Sequence, residues 1–183
     1  MKNLIYPYLL LVIVASFSGN SLASDEGPSF TVTEINKNTF LLQGNGGNII
    51  VNRGADGLLI IDDDYANASS ALKQAVEKLG GISNLKYILN THWHGDHSGG
   101  NDELGKQASI IAQQNVRKRL SSRQEIPFFK MVSEPYPEHA LPNITYADNM
   151  KLYFNGDRLL LKHYPKGHTD GDNGGLTQHG AHG

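Results

Sequence analysis

The stretch Thr91-His92-Trp93-His94-Gly95-Asp96-His97-Ser98-Gly99-Gly100 most narrows what this chain can become, because it crowds three histidines and one carboxylate into six positions. A single loop histidine is usually solvated, but this density directly after an apolar run calls for a metal ion. Leu85-Lys86-Tyr87-Ile88-Leu89-Asn90 supplies a strand before it. Residues two apart on an extended chain point to the same side, so His92 and His94 are expected to share one ion by continuing that strand. Gly95 is expected to turn the backbone sharply and carry Asp96 and His97 toward a second ion. Zinc is the expected metal, as one or two ions: imidazole suits it, carboxylate is an accepted partner, and catalytic zinc keeps a position open for water. The helical His-Glu-x-x-His arrangement is absent, so the site is borne on a loop.

These residues resemble the metallo-β-lactamase-fold hydrolases, which carry His-x-His-x-Asp-His after a strand in their first half. A second stretch, Gly167-His168-Thr169-Asp170-Gly171-Asp172, is similar to the family's Gly-His-Thr segment. The resemblance covers most of residues 30–172. It implies His92, His94 and His168 at one zinc and Asp96 and His97 at the other. Asp62 matches the acidic residue that supports the metal loop from behind, and Asp96 the group that orients the attacking hydroxide or shuttles its proton. The implied fold is α/β, an αββα sandwich of two sheets face to face with helices outside, represented by its N-terminal half plus the third-histidine segment. The implied activity is hydrolysis by a zinc-bound hydroxide of a small-molecule ester, amide, thioester or phosphodiester, with β-lactams among the candidates.

Ahead of the domain, Lys2 gives a short basic start and Leu4 to Phe17 is mostly apolar, with small residues at Ser21-Leu22-Ala23. Residues 1–23 read as a secretory signal peptide, too short in its apolar part for the ~20 residues that span a bilayer. The mature chain is then expected in a periplasm or outside the cell, with no membrane attachment after cleavage. It has no cysteine, so stability rests on the core and any bound metal. Its net charge of −2 becomes about −3 once Lys2 is lost, which gives no basic face for nucleic acid.

Along the mature chain, residues 30–35 alternate as a strand with one buried face, 39–43 pair with them, and 48–52 form a third strand beyond a Gly-rich turn. That glycine loop joins two strands and does not open a helix, so phosphate binding is not expected. Leu58 to Ile61 reads as a strand covered on both faces, closed by Asp62-Asp63-Asp64 as turn and capping residues. Ala68 to Leu79 has an apolar stripe of Ala71, Leu72, Ala75, Val76 and Leu79, with Gly80-Gly81 as its stop. Asn101–Lys106 and Asn115–Leu120 read as short helices and Ala108–Ala112 as a strand. Residues 121–140, with Phe128 and Phe129, are expected to be a mobile segment. Residues 144–146, 151–154 and 158–162 are strands, with Asn155-Gly156-Asp157 as a hairpin turn. His139 and His163 are expected to be structural or exposed.

In the family, a second half supplies a bridging Asp or Cys and a later histidine. This chain ends fifteen residues after His168, and Asn173 to Gly183 shows no strand-forming run. Residues 173–183 are therefore expected to be a disordered Gly/His tail. Asp172 lies too close to His168 for the bridging position, and His179 and His182 stand among glycines. The sequence alone leaves three readings: a zinc hydrolase, a truncated zinc-binding remnant with weak or no catalysis, and a half-domain completed by another chain.

Overall fold

The structure is a computed structural model that describes residues 27–127 and 131–178. The expected leader of residues 1–23, together with Phe128, Phe129, His179 and His182, lies outside the described residues.

The first seven strands to join one sheet are set by runs of alternating or continuous apolar residues. Strands β1 (Thr31–Asn36), β2 (Thr39–Gln43), β3 (Asn48–Gly54) and β4 (Gly57–Ile61) form an antiparallel meander. Strands β5 (Leu85–Leu89) and β6 (Ser109–Gln113) continue it in parallel. Two short strands, β7 (Gln124–Ile126) and β8 (Met131–Ser133), pair with each other, and β9 (Ile144–Tyr146) adds the last parallel edge. The large sheet thus has the order β1-β2-β3-β4-β5-β6-β9. A second sheet holds β10 (Asn149–Phe154), β11 (Asp157–His163) and β12 (Asn173–Gln178) in that order, all antiparallel.

Side-chain alternation separates two cores. Phe40, Leu42, Ile49, Val51, Leu58, Ile60 and Ile88 point to one face of the large sheet and bury Leu72 and Val76 of helix α1 (Ser69–Gly80). These two helical residues are four apart, which puts them on one face of a 3.6-residue helix. The helix stops where Gly81, at φ 88°, donates its N–H to Glu77 O at 3.0 Å. Leu59, Leu89 and Ile111 point to the other face and meet Phe154, Leu159 and Leu161 of the small sheet. Strand β4 is covered on both sides, as its continuous apolar run requires. Helices, sheet, sheet is therefore the layer order, in agreement with the sandwich expected from sequence. Asn155 at φ 54° and Gly156 at φ 81° make the turn between β10 and β11. The Asn155 side chain also reaches the first sheet, accepting from Asp56 N at 2.9 Å and donating to Asn52 Oδ1 at 2.7 Å.

Three expectations need correction. Strand β1 has no buried face; all six residues are exposed, Ile35 by 58%, because it is an edge strand that no helix covers among the described residues. Residues 121–140, expected as one mobile segment without regular elements, contain the β7–β8 pair and a 3₁₀ turn at Glu138–Ala140. The expected tail is in part a strand: Asn173–Gln178 pairs with β11 over its whole length, from His163↔Asn173 to Arg158↔Gln178. Strand pairing there is supplied by the register of β11, so Gly174 and Gly175 are tolerated despite their weak β-propensity.

These burial differences set unequal costs. Leu72→Ala is expected to destabilise the fold by about 2–5 kcal/mol, whereas Val32→Ser on the uncovered strand should stay within about 0.5 kcal/mol. Urea unfolding of both variants checks this contrast.

Candidate metal centre

The site stands at the carboxyl ends of β4 and β5, where loops leave the parallel part of the sheet. Strand β5 ends at Leu89, so the two histidines after it do not continue a strand as expected. They converge through a chain of bends from Thr91 to His94, held by side chains. Buried Asn90 donates from Nδ2 to His97 O at 3.2 Å and accepts from Asn101 Nδ2 at 2.9 Å. His94 is extended (φ −68°, ψ 149°) and opens the helical turn α2 (Gly95–Ser98), where its carbonyl accepts from His97 N and Ser98 N at 3.0 Å each. Gly95 begins that turn without a left-handed φ, and a Cβ on it would meet open space, so its expected role as a sharp permissive turn is not what bends the chain. The glycine requirement falls later: a Cβ on Gly100 would lie 2.5 Å from Asp63 O. Helix α3 (Asn101–Leu104) follows.

Asp62 sits immediately after β4 at φ 63°, a left-handed conformation uncommon outside glycine. That turn directs its 3%-exposed carboxylate at the metal loop. Oδ1 accepts from Thr91 N, and Oδ2 from Thr91 Oγ1 and His97 Nδ1, all at 2.7 Å. The single hydroxyl proton of Thr91 is thereby committed to Asp62. Thr91 Oγ1, 3.1 Å from His92 Nδ1, then accepts from that ring nitrogen. The lone pair of His92 is left on Nε2, and that of His97 on its own Nε2 for the same reason. Thr91 was not singled out by sequence, although it opens the motif. Asp63 and Asp64, read as turn residues, are fully buried; Asp63 Oδ1 accepts from Gly100 N at 2.9 Å and Asp64 Oδ1 from Tyr65 N at 2.6 Å.

Two sets of donor atoms come together within 4.8 Å: His92, His94 and His168 in one, and His92, Asp96 and His97 in the other. All five residues expected at the site are therefore brought together, and His92 borders both sets. His168 reaches the cluster on the loop between β11 and β12, with its Nε2 3.0 Å from His94 Nδ1. Asp172 shapes that loop: its carboxylate accepts from the backbone N–H of His168, from Thr169 N at 2.9 Å and from Thr169 Oγ1 at 2.5 Å. Buried Asn173, at the start of β12, ties the loop to the first motif by donating from N to Thr91 O and from Nδ2 to Asn90 O, both at 2.9 Å. Neither anchor was legible beforehand. On the opposite side, the β2–β3 loop closes over His97, and a Cβ on Gly47 would lie 2.5 Å from His97 Cε1. His139, paired with Asp102 at 2.6 Å, and His163, bonded to Asp170 O at 3.0 Å, stay outside the cluster as expected.

Electrostatics suit cation binding. Burial, followed by the neighbouring histidines, lowers His92 to about 4. Burial also lowers His94, with the charge of His168 next. Both rings are neutral near pH 7, the state that metal ligation needs. Burial pulls His97 the same way, but the hydrogen bond and charge of Asp62 outweigh it and hold His97 above its ordinary value. Three imidazoles, beside a carboxylate–imidazole set in which the lone pairs of His92 and His97 are fixed on Nε2, fit zinc in donor chemistry. A concavity of about 770 Å³ near Lys86, Lys106 and Tyr153 lies at the other end of the sheet and brings together no such donors. A smaller one of about 570 Å³, lined by Tyr164, Gly167 and Asp172, adjoins the His168 loop.

The sequence profile of the metallo-beta-lactamase superfamily matches residues 32–174. This chain belongs to the metallo-β-lactamase superfamily. Its members are hydrolases. The chain is 30% identical over 138 residues to a beta-lactamase-like protein 2 homolog of Caenorhabditis elegans, covering 73% of this chain and 40% of that protein. It is 34% identical over 131 residues to a hydroxyacylglutathione hydrolase of Pelagibacter ubique, covering 65% of this chain and 53% of that one. Among solved structures, a class B3 di-zinc metallo-beta-lactamase from an Alaskan soil metagenome superposes with a TM-score of 0.70 at 20% identity, over 82% of this chain and 58% of the other. The chain spans about half the length of the two sequence relatives.

The opposite shifts of His92 and His97 give a pH signature in the metal-free protein. His92, lowered, disfavours protonation of the folded state, so its contribution to stability is lost as pH falls from about 6.5 toward about 4. His97, raised, stabilises the fold below its unfolded value near ~6.5, and that stabilisation is lost as pH rises through the folded value. Histidine NMR titration without metal should place His97 above and His92 below the ordinary value, and Asp62→Asn should bring His97 down. A His97 titration unmoved by Asp62→Asn would refute the assigned network.

Proposed function

We propose that this chain carries the metal site of an exported zinc-dependent acyl hydrolase. The observation that carries this reading is the convergence of His92, His94 and His168, from two distant motifs, on one set of donor atoms within 4.8 Å. When bound, zinc supplies Lewis acidity and acidifies a water toward ~7. His92, His94 and His168 would hold the first ion, and Asp96 and His97 the second. Asp96 Oδ2 lies 3.3 Å from His97 Nε2 and its side chain is 35% exposed, so it is accessible to accept and pass on a proton. Asp62 does no chemistry at the substrate; it fixes the rings of His97 and, through Thr91, of His92.

The relative named as a hydroxyacylglutathione hydrolase supports an acyl thioester as substrate, and the B3 enzyme, alike in fold, supports a β-lactam. An amide or another ester presents the same acyl carbonyl centre, whereas a phosphodiester would be attacked at phosphorus. The signal-peptide reading of residues 1–23 supports action in a periplasm or outside the cell. A second reading is supported by β12, whose outer edge has no partner strand among the described residues and whose Leu176 is 71% exposed. Under it, another chain completes the sheet, and a solution mass above that of the monomer would bear it out.

The first set holds three imidazoles, whereas Asp96 and His97 must share His92 with it. Metal analysis after mild dialysis should therefore retain about one zinc per chain. His92→Ala and His168→Ala should each release it, and His139→Ala should not. With zinc added, Asp96→Asn should lower kcat on an acyl thioester or chromogenic β-lactam by about 100-fold with little change in KM. Equal zinc loss in all three histidine variants would contradict the ligand assignment.

A further inference from the structure

The two ligand-bearing segments meet a third element that touches neither set of donor atoms, helix α4 (Gln114–Leu120). Its apolar side, Val116 and Leu120, forms a small buried cluster with Ala112 and Leu141, against which Trp93 and Tyr136 pack. Trp93 lies between two of the histidines in sequence. Its indole stands edge-on to the His94 imidazole, with ring centroids 4.4 Å apart and planes at 69°. Tyr136 N donates to Leu120 O at 2.8 Å, and its side chain neighbours Ser98. Buried Ser98 donates in turn to the carbonyls of Trp93 at 3.2 Å and His94 at 3.0 Å. The His94 backbone and ring are thus both referred to α4.

The same helix grips the other segment two residues beyond His168. Arg119 donates from Nε to both oxygens of Asp170 at 3.2 Å and from Nη2 to Oδ2 at 2.8 Å. Asn115 Nδ2 donates to Asp170 O at 2.8 Å, and a Cβ on Gly171 would press on Val116 Cγ2 at 2.8 Å. The Arg119 and Asp170 side chains are each more than 40% exposed, so the bridge adds little to stability. A forked, three-bond contact nevertheless fixes orientation in a way that a single point charge does not.

We propose that α4 is the strut that sets the separation of His94 and His168, with Trp93 and Arg119 as positioning residues for the metal site. Resting on the zinc reading above, it concerns the gap across which His94 Nδ1 and His168 Nε2 stand 3.0 Å apart. Each segment reaches the site from a different sheet, and the bends and turns between Thr91 and His94 and between Tyr164 and Asp172 have no strand pairing of their own. Packing of Trp93 at one end of the helix and the Arg119 fork along it supply the missing restraint.

The test measures zinc affinity by competition with a chromophoric chelator, alongside the visible spectrum of the cobalt(II)-substituted protein, which reports ligand geometry without turnover. Trp93→Ala and Arg119→Met should each weaken zinc by about 10-fold or more, as loss of outer-shell support does elsewhere, and should alter the cobalt spectrum. Trp93→Phe, which keeps an aromatic edge on His94, should restore affinity to within about threefold of the unaltered chain. Arg117→Met is the control, since Arg117 is on the same helix but bonds Pro142 O and Glu138 and should leave affinity unchanged. Folded Trp93→Ala and Arg119→Met proteins, by circular dichroism, that bind zinc like the unaltered chain would overturn the strut while leaving the zinc reading intact. An unaltered chain that binds no zinc would overturn both. If Trp93→Ala fails to fold, Arg119→Met against Arg117→Met decides alone.

Discussion

The first metal-binding motif hangs on the buried carboxylate of Asp62. It is almost wholly removed from water, so its charge must be met by protein donors, and Thr91 and His97 provide three of them. Leaving such a group unmatched would cost several kcal/mol. The same three bonds determine where the protons of two imidazoles sit, which converts a structural necessity into a set of nitrogen lone pairs facing one space. Asp62 can do this only because the chain turns at φ 63° directly after β4. The strain of that turn is held by a strand packed on both faces, and the order of the layers thus reaches the donor atoms through one residue.

The third histidine comes from the other sheet. Its placement depends on Asp172 closing its own loop, on Asn173 bonding the carbonyls behind the first motif, and on β12 pairing with β11. Hydrophobic contact between the two sheets, through Leu59, Leu89 and Ile111 on one side and Phe154, Leu159 and Leu161 on the other, brings these loops to one end. Non-directional packing sets the distance to within a few ångströms; hydrogen bonds and the α4 contacts define the rest.

Much of this was legible in the sequence. The double-faced burial of Leu58 to Ile61, the stripe of α1 and the Asn155-Gly156 turn follow from local periodicity and turn chemistry, which are short-range properties. His92, His94, Asp96 and His97 stood out by density and spacing within one loop, whereas His168 and Asp62 were legible only because the motifs resemble a known family. Strand β1 was misread because alternation records which residues can be buried, not whether a layer exists to bury them. Strand β12 was missed because Gly174-Gly175 carries no propensity signal; its partner lies ten or more residues back in β11, and pairing of that kind is a tertiary property. Thr91, Asn173, Arg119 and Asp170 escaped for a related reason: their roles are defined by what sits opposite them across the fold.

The most direct measurement of the central claim is zinc K-edge X-ray absorption on the chain loaded with one equivalent of zinc. Three histidines on one ion predict a first shell of nitrogen and oxygen only, at about 2.0–2.1 Å, with the outer-shell scattering of three imidazole rings. His168→Ala should remove one ring from that signal. A shell of oxygen atoms with no imidazole scattering, or a spectrum unchanged by His168→Ala, would show that the two motifs do not meet at one metal.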